Sequence, residues 1–259
     1  MTRNSMQYRI VITRLVIIGL FLGTWEIGAG TGVLDPYFFG RPTSILLDLS
    51  RMMIRGQIWY HAWITLQEAL LGFFLGSVCG ILVAFVLTAM PFWARVLDPI
   101  MMAIYGIPRI ALAPLFILWF GLGIASKVVF SFVLVFFLLF FNTLAGLKSV
   151  NREMVNAVRV MGASKSQIVR IAIFPAISPW ILTGLRAGMG MALLGAIVGE
   201  YVGGNAGLGW MINSAAGLFQ TTRVFSSLTA LALLVVAMNA ILNKVERRIL
   251  RWRPQTDLM

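Results

Sequence analysis

Six stretches of roughly 20 predominantly apolar residues, at 11–29, 64–90, 99–122, 127–147, 180–202 and 225–242, leave this chain few possible folds. Each is long enough to cross a hydrocarbon layer as a helix. Backbone groups without water around them must be bonded within their own segment, so the chain reads as an all-α polytopic membrane protein with six transmembrane helices. With 59% hydrophobic and 12% charged residues and a mean hydropathy of +0.90, a soluble globular domain is excluded. The formal charge of +12 could suggest a nucleic-acid partner, but that function needs a basic stripe on a soluble fold, and none is present.

The basic residues orient the spans, because Lys and Arg are retained on the cytoplasmic side. With the amino terminus inside, fourteen of the 21 lysines and arginines fall on inner segments and five on outer ones: Arg41, Arg51, Arg55, Lys127 and Arg223. Both termini and the segment 151–175 are then cytoplasmic. Arg109 and Arg186 fall within spans. The first stretch has the outline of a secretory signal, with Arg3, Arg9 and Arg14 before it and Gly28-Ala29-Gly30 near its end; Glu26 inside it argues for a retained span.

Between the first two spans, Pro36 and Pro42 bracket a turn, and Ile45, Leu46, Leu49, Met52 and Met53 then recur at helical spacing with Asp48, Arg51 and Arg55 opposite. This is an amphipathic helix on the outer surface, either a lid on the bundle or a docking surface. In the second span Glu68, Gly72, Gly76, Gly80 and Ala84 lie four residues apart on one face, which lets helix backbones approach closely. Glu68 is placed near the outer end, within reach of interfacial water. The third span is interrupted by Gly106-Ile107-Pro108-Arg109 and Pro114; such breaks are tolerated at membrane depth where protein or a water-filled cavity satisfies the backbone, so this segment lines something. Arg109 either snorkels or pairs, or it faces an anion path.

The fourth span is apolar on all sides except Ser131 and Asn142, as expected of a lipid-facing or packing helix. In the fifth, Gly184, Gly188, Gly190, Gly195, Gly199 and Gly203 call for close helix packing, including against a second copy. Glu200 sits at its outer boundary, and Gly203-Gly204 and Gly207-Leu208-Gly209 mark turns; a phosphate loop would need a preceding strand and a Lys-Ser/Thr. One cysteine, Cys79, rules out an intramolecular disulfide, and His61 has no metal-ligand spacing to any other His, Cys or carboxylate, so it reads as an interfacial histidine.

The segment 151–175 is the longest polar interval in the second half. A helix ends or bends at Gly162, a short amphipathic run of Ile168, Val169, Ile171 and Ala172 follows Ser164, and Pro175 breaks it, which makes a helix-turn-helix against the membrane. Its register resembles the cytoplasmic loop of ATP-binding-cassette (ABC) importer permeases, Glu-Ala-Ala, three residues, Gly, nine residues, Ile-x-Leu-Pro. Here Asn156-Ala157-Val158 stand first, then Gly162, then Ala172-Ile173-Phe174-Pro175, with Asn156 where the family has its Glu. RVMGAS, FPAISPWILTGLRAG and IPRIALAPLFILWFGLG resemble the nitrate, sulfonate and taurine branch, and the resemblance runs over 65–252.

This resemblance implies a type I permease fold with a cytoplasmic coupling helix in a bacterial inner membrane. Asn156, Ala157, Arg159, Gly162, Ala163, Ser164 and Pro175 would meet the ATPase, and Pro108, Arg109 and Glu200 are candidates for the translocation path. The implied partners are membrane lipid, a second permease copy as a homodimer, two cytoplasmic ATPase subunits and an extracytoplasmic solute-binding protein delivering a small anion. The chain has no GxxxxGK[ST] loop, so ATP and Mg belong to the ATPase, no cofactor is expected here, and the chain is not an enzyme. It divides into 1–63 (first span and outer helix), 64–247 (permease core) and 248–259 (basic tail lying on anionic lipid). A membrane-embedded enzyme would need a nucleophile with a base or a metal cluster, and an ion-coupled secondary transporter would favour matching halves with intramembrane carboxylates; neither pattern is visible.

Overall fold

In the computed structural model, which describes residues 3–249, apolar helices long enough to cross a membrane appear where the apolar runs lie, and the one interrupted run is a bent pair. The helices are α1 (Arg3–Gly30), α2 (Pro36–Phe39), α3 (Pro42–Ile54), α4 (Gln57–Ala89), α5 (Pro91–Gly106), α6 (Ala113–Phe120), α7 (Ile124–Lys148), α8 (Arg152–Val160), α9 (Lys165–Ile168), α10 (Phe174–Gly203), α11 (Leu208–Gly217) and α12 (Thr221–Ile249). The basic tail expected over 248–259 lies, from residue 250 on, outside the described residues.

Helices α4, α7 and α10 form the core, and glycine sets how closely they approach. A Cβ on Gly76 would lie 2.8 Å from the Phe132 carbonyl oxygen, one on Gly80 2.6 Å from that of Phe136, and one on Gly195 2.6 Å from the Ser131 Cα. Backbone meets backbone at these points, as the four-residue spacing predicts. The Ser131 hydroxyl adds a bond to the Ala192 carbonyl at 2.9 Å, tying α7 to α10. Helix α7 is therefore no lipid-facing helix: Phe130, Leu134, Val135, Leu139 and Phe140 are all buried, because glycine faces of two neighbours close on it. The α10 glycines at 184, 188, 195 and 199 meet α7 of the same chain, whereas Gly190 faces open space.

The apolar face of α3 is turned onto α11, α12 and the start of α4, with Leu49 and Met52 packed among Ile58, Leu208, Met211 and Ala230. The helix thus covers the bundle with its apolar face and leaves Arg51 and Arg55 of the opposite face exposed. Helix α1 stands mostly exposed and is joined to α3 where Glu26 accepts from the Thr43 amide and hydroxyl at 3.0 and 2.9 Å.

Two prolines behave differently from each other. At Pro108 the third span breaks, α5 and the segment Arg109–Phe120 meeting at 82° through a tight turn over Arg109–Leu112. Pro175 was expected to break its helix and does not. It occupies the first turn of α10, directly after a wide π-type turn over Val169–Ile173. At a helix start proline's missing donor removes no bond, and the wider turn before it takes up the backbone displacement, so the run from Lys165 continues into the membrane.

Candidate functional site

The loop between α7 and α10 is built by local capping. Asn151 Oδ1 accepts from the Glu153 amide at 2.7 Å and starts α8. The helix stops at Gly162, whose φ of 82° is a left-handed conformation that favours glycine. The Ala163 amide reaches back to the Val158 carbonyl at 3.3 Å and the Gly162 amide to that of Arg159 at 3.0 Å, a Schellman closure. Two residues later Ser164 opens α9 with a reciprocal capping box: the Gln167 amide donates to Ser164 Oγ at 3.3 Å, and the Ser164 amide to Gln167 Oε1 at 2.8 Å. Buried Ile168 and Ala172 anchor this second arm, while Asn156, Ala157, Arg159, Gly162, Ser164 and Pro175 are exposed and Ala163 is half-buried.

The tip carries two residues that sequence reasoning missed. Val160 is 87% and Met161 85% exposed, so a rigid turn holds two large apolar side chains out from the protein, beside Arg159. The signal was present in Val-Met-Gly: two apolar residues directly before a left-handed glycine cannot both join the stripe of α8.

At the broken span, no residue of α5 or of the Arg109–Leu112 turn is buried. Pro108 is exposed and Arg109 half-buried, with its guanidinium carbon 4.3 Å from the centroid of the Tyr105 ring and 5.8 Å from that of Phe137. The arginine is held by cation–π stacking against its own preceding turn.

Glu200 lies elsewhere, in an enclosed polar knot at one end of the core. Its carboxylate accepts from the Thr65 hydroxyl at 2.6 Å and the Gly209 amide at 2.7 Å, and it is fully buried. The Leu208 amide donates to Thr65 Oγ1 at 2.9 Å, and the Gly207 amide to His61 Nδ1 at 3.0 Å, with the imidazole stacked on Trp210. The Gly207–Gly209 turn is thus shaped around a carboxylate: a Cβ on Gly207, where φ is 102°, would collide with it. Lys127 Nζ donates to the carbonyls of Leu122, Gly123 and Gly203, within electrostatic reach of both Glu68 and Glu200.

Three expectations are corrected here. Glu68 does not reach interfacial water but is 3% exposed, because α4 starts at Gln57 and places it three turns inside a packed helix. Lys127, counted with the outer loops, is 1% exposed in the first turn of α7. Glu200 is not at an open boundary, since the 204–209 turn folds back over it. His61, read as an interfacial histidine, is half-buried, accepts from the Gly207 amide and stacks on Trp210. Among the described residues no group of three or more His, Cys, Asp or Glu could hold a metal.

Comparison with known proteins follows the same outline. Residues 76–251 match the family described as Binding-protein-dependent transport system inner membrane component. The chain is 30% identical over 239 residues to the putative aliphatic sulfonates transport permease protein SsuC of Bacillus subtilis, covering 92% of this chain and 87% of that one. It is 37% identical over 236 residues to the formylaminopyrimidine transport permease protein ThiX of Halalkalibacterium halodurans, covering 88% and 91%. Its fold is similar to a chain of the MetNI methionine ABC transporter in an inward-facing conformation, at a TM-score of 0.62 and 21% identity over 77% of this chain and 95% of that one. The chain belongs to the inner-membrane permease components of binding-protein-dependent ABC importers, multi-pass proteins that carry a small solute and are not themselves enzymes.

Proposed function

We propose that this permease imports a small anion and takes its driving force from ATPase subunits that grip the α8–α9 turn. The observation that carries the reading is the Val160–Met161 tip. A large apolar pair held in water by a left-handed glycine and a capping box costs solvation unless a partner covers it. An ATPase cleft is the partner that membership of this family supplies. Asn156, Ala157, Arg159, Gly162, Ala163 and Ser164 surround the tip, and Pro175 sets the arm that carries its motion into α10. ATP and Mg would be held by those subunits, and a second copy of this chain would complete the path.

In this scheme the two termini and the α8–α9 loop are cytoplasmic, and α3 and the α11–α12 turn face the solute-binding protein. With buried Lys127 set aside, the asymmetry of fourteen inner to four outer basic residues supports that orientation. Pro108 and Arg109, at the 82° bend, stand along the path, whereas enclosed Glu200 braces α10 against α11 and α4. The named relatives differ in solute, one an aliphatic sulfonate and one a formylaminopyrimidine, so the anion assignment rests on the intramembrane arginines.

Single cysteines test the orientation in a Cys79→Ala background. Ser164→Cys should resist a membrane-impermeant thiol reagent in intact cells and react in inverted vesicles, with Leu218→Cys, 67% exposed in the wild type, showing the opposite pattern. Labelling of Ser164→Cys in intact cells would put the loop on the side without ATP and end this reading.

A further inference from the structure

Helices α8 and α11 end in the same closure, at opposite faces of the membrane in the orientation proposed above. At the close of α11 the Gln220 amide donates to the Ala215 carbonyl at 2.9 Å and the Phe219 amide to that of Ala216 at 3.0 Å. The amides of Ala163 and Gly162 close α8 with the same pair of bonds. Each closure holds two large apolar side chains in the open, Val160 and Met161 in one and Leu218 and Phe219, at 67% and 72% exposure, in the other.

The two closures differ at the residue that must be left-handed. Gly162 takes its φ of 82° freely, whereas Phe219 has a φ of 54° and is the one non-glycine residue with a positive φ among the described residues. A Cβ opposes this conformation, and a bulky side chain opposes it most. Packing does not repay the strain, because the ring points outward rather than into the protein. Strain without a packing reward marks a position held for function.

The surroundings of the ring suit a polar partner better than acyl chains. Phe219 lines an open cavity of about 430 Å³ together with Tyr37, Asp48 and Arg223. The Thr221 hydroxyl donates to the Tyr37 carbonyl at 2.5 Å and ties this turn to α2. Across the cavity Asp48 Oδ1 stands 3.7 Å from Arg223 Nη2, beyond hydrogen-bond distance, and Asp48 Oδ2 has no partner. A carboxylate this short of donors is costly against hydrocarbon. An exposed aromatic knob beside an open ion pair has the make-up of a protein interface, an apolar anchor within a polar rim.

The geometry points to the Leu218–Phe219 tip as the anchor by which this permease holds its solute-binding protein, with Phe219 filling an apolar recess of that partner. The inference rests on the importer reading above, which supplies the partner and turns α11–α12 toward it, and adds the residue that makes the grip.

The strained backbone provides the test. The permease with its ATPase subunits, in lipid nanodiscs, is titrated with its loaded solute-binding protein by biolayer interferometry, and the unfolding midpoint of the same preparation is recorded. Asparagine and glycine accept a left-handed backbone. Phe219→Asn and Phe219→Gly should therefore keep or raise the midpoint while Kd rises about tenfold or more, as for loss of a central aromatic anchor. Phe219→Tyr should bind as wild type does. Independently of these variants, labelling of Leu218→Cys in a Cys79→Ala background by an impermeant thiol reagent should slow at least fivefold when the solute-binding protein is saturating.

Wild-type Kd in Phe219→Asn and Phe219→Gly would overturn the inference, and a midpoint lowered in nanodiscs but not in detergent would then assign the ring to the lipid interface. Unprotected Leu218→Cys would overturn it as well. ATP-dependent import with either of those results would remove only this inference. Protection of Leu218→Cys in a complex whose import ignores ATP would remove only the importer reading.

Discussion

The three-helix core and the α8–α9 loop treat costly side chains in opposite ways. In the core, two carboxylates and a lysine that the bilayer would penalise are enclosed at 3%, 0% and 1% exposure, with hydroxyl, amide and carbonyl partners around Glu200 and Lys127. In the loop, Val160 and Met161, which water penalises, are held out at 87% and 85%. A charge hidden with partners reports on assembly of the protomer. An apolar pair displayed on a rigid turn reports on a partner outside it.

The sharpest way to break the core side of this comparison is Lys127→Met. It leaves Glu68 and Glu200 enclosed without their cation, and loss of one member of a buried charge group costs about 3–5 kcal/mol. The variant should accumulate poorly and lose its thermal transition in detergent, and adding Glu68→Gln should restore part of the loss. If Lys127→Met is as stable as wild type, the knot contributes nothing to assembly.

Next comes Gly76→Val. Its Cβ alone would sit 2.8 Å from a carbonyl oxygen of α7, so the helices must separate, at roughly 1–3 kcal/mol for an overpacked core. Gly23→Val, where a Cβ meets nothing within 4 Å, is the matched control and should lower the unfolding midpoint far less. Equal behaviour of the two would show that α4 and α7 do not depend on glycine contact.

The smallest expected effect falls on the loop. Ser164→Ala removes one half of the capping box, worth about 1 kcal/mol. Because α9 is far from the core, thermal stability of the protomer should hold while solute-stimulated ATP hydrolysis falls. A drop in thermal stability with coupling intact would place the cap in folding rather than in communication.

Much of the fold was legible because apolar length and glycine spacing are local signals. The spans, the break at Pro108 and the turn at Gly162 all follow from residues within a few positions of one another. What was not legible depends on distant partners. Glu200 and Thr65 are 135 positions apart, and neither shows that a glycine turn will close over the pair. Lys127 and Glu68 stand near the ends of apolar runs, where a charge looks interfacial until a third helix covers it. Pro175 misled because the chain accommodates it with a π-type turn, a backbone adjustment with no residue signature of its own. The Val160–Met161 tip was easily passed over among the apolar residues of a short amphipathic helix, although the left-handed Gly162 directly after the pair carried its signal.

The most direct measurement is ATP hydrolysis by the reconstituted importer, with and without loaded solute-binding protein, for Met161→Asp. The substituted side chain sits on an exposed tip, so insertion and thermal stability should match wild type. A charge driven into an apolar contact should abolish both uptake and the stimulation of hydrolysis by the binding protein. Full stimulation and normal uptake in that variant would contradict the claim that this loop is where the ATPase grips the permease.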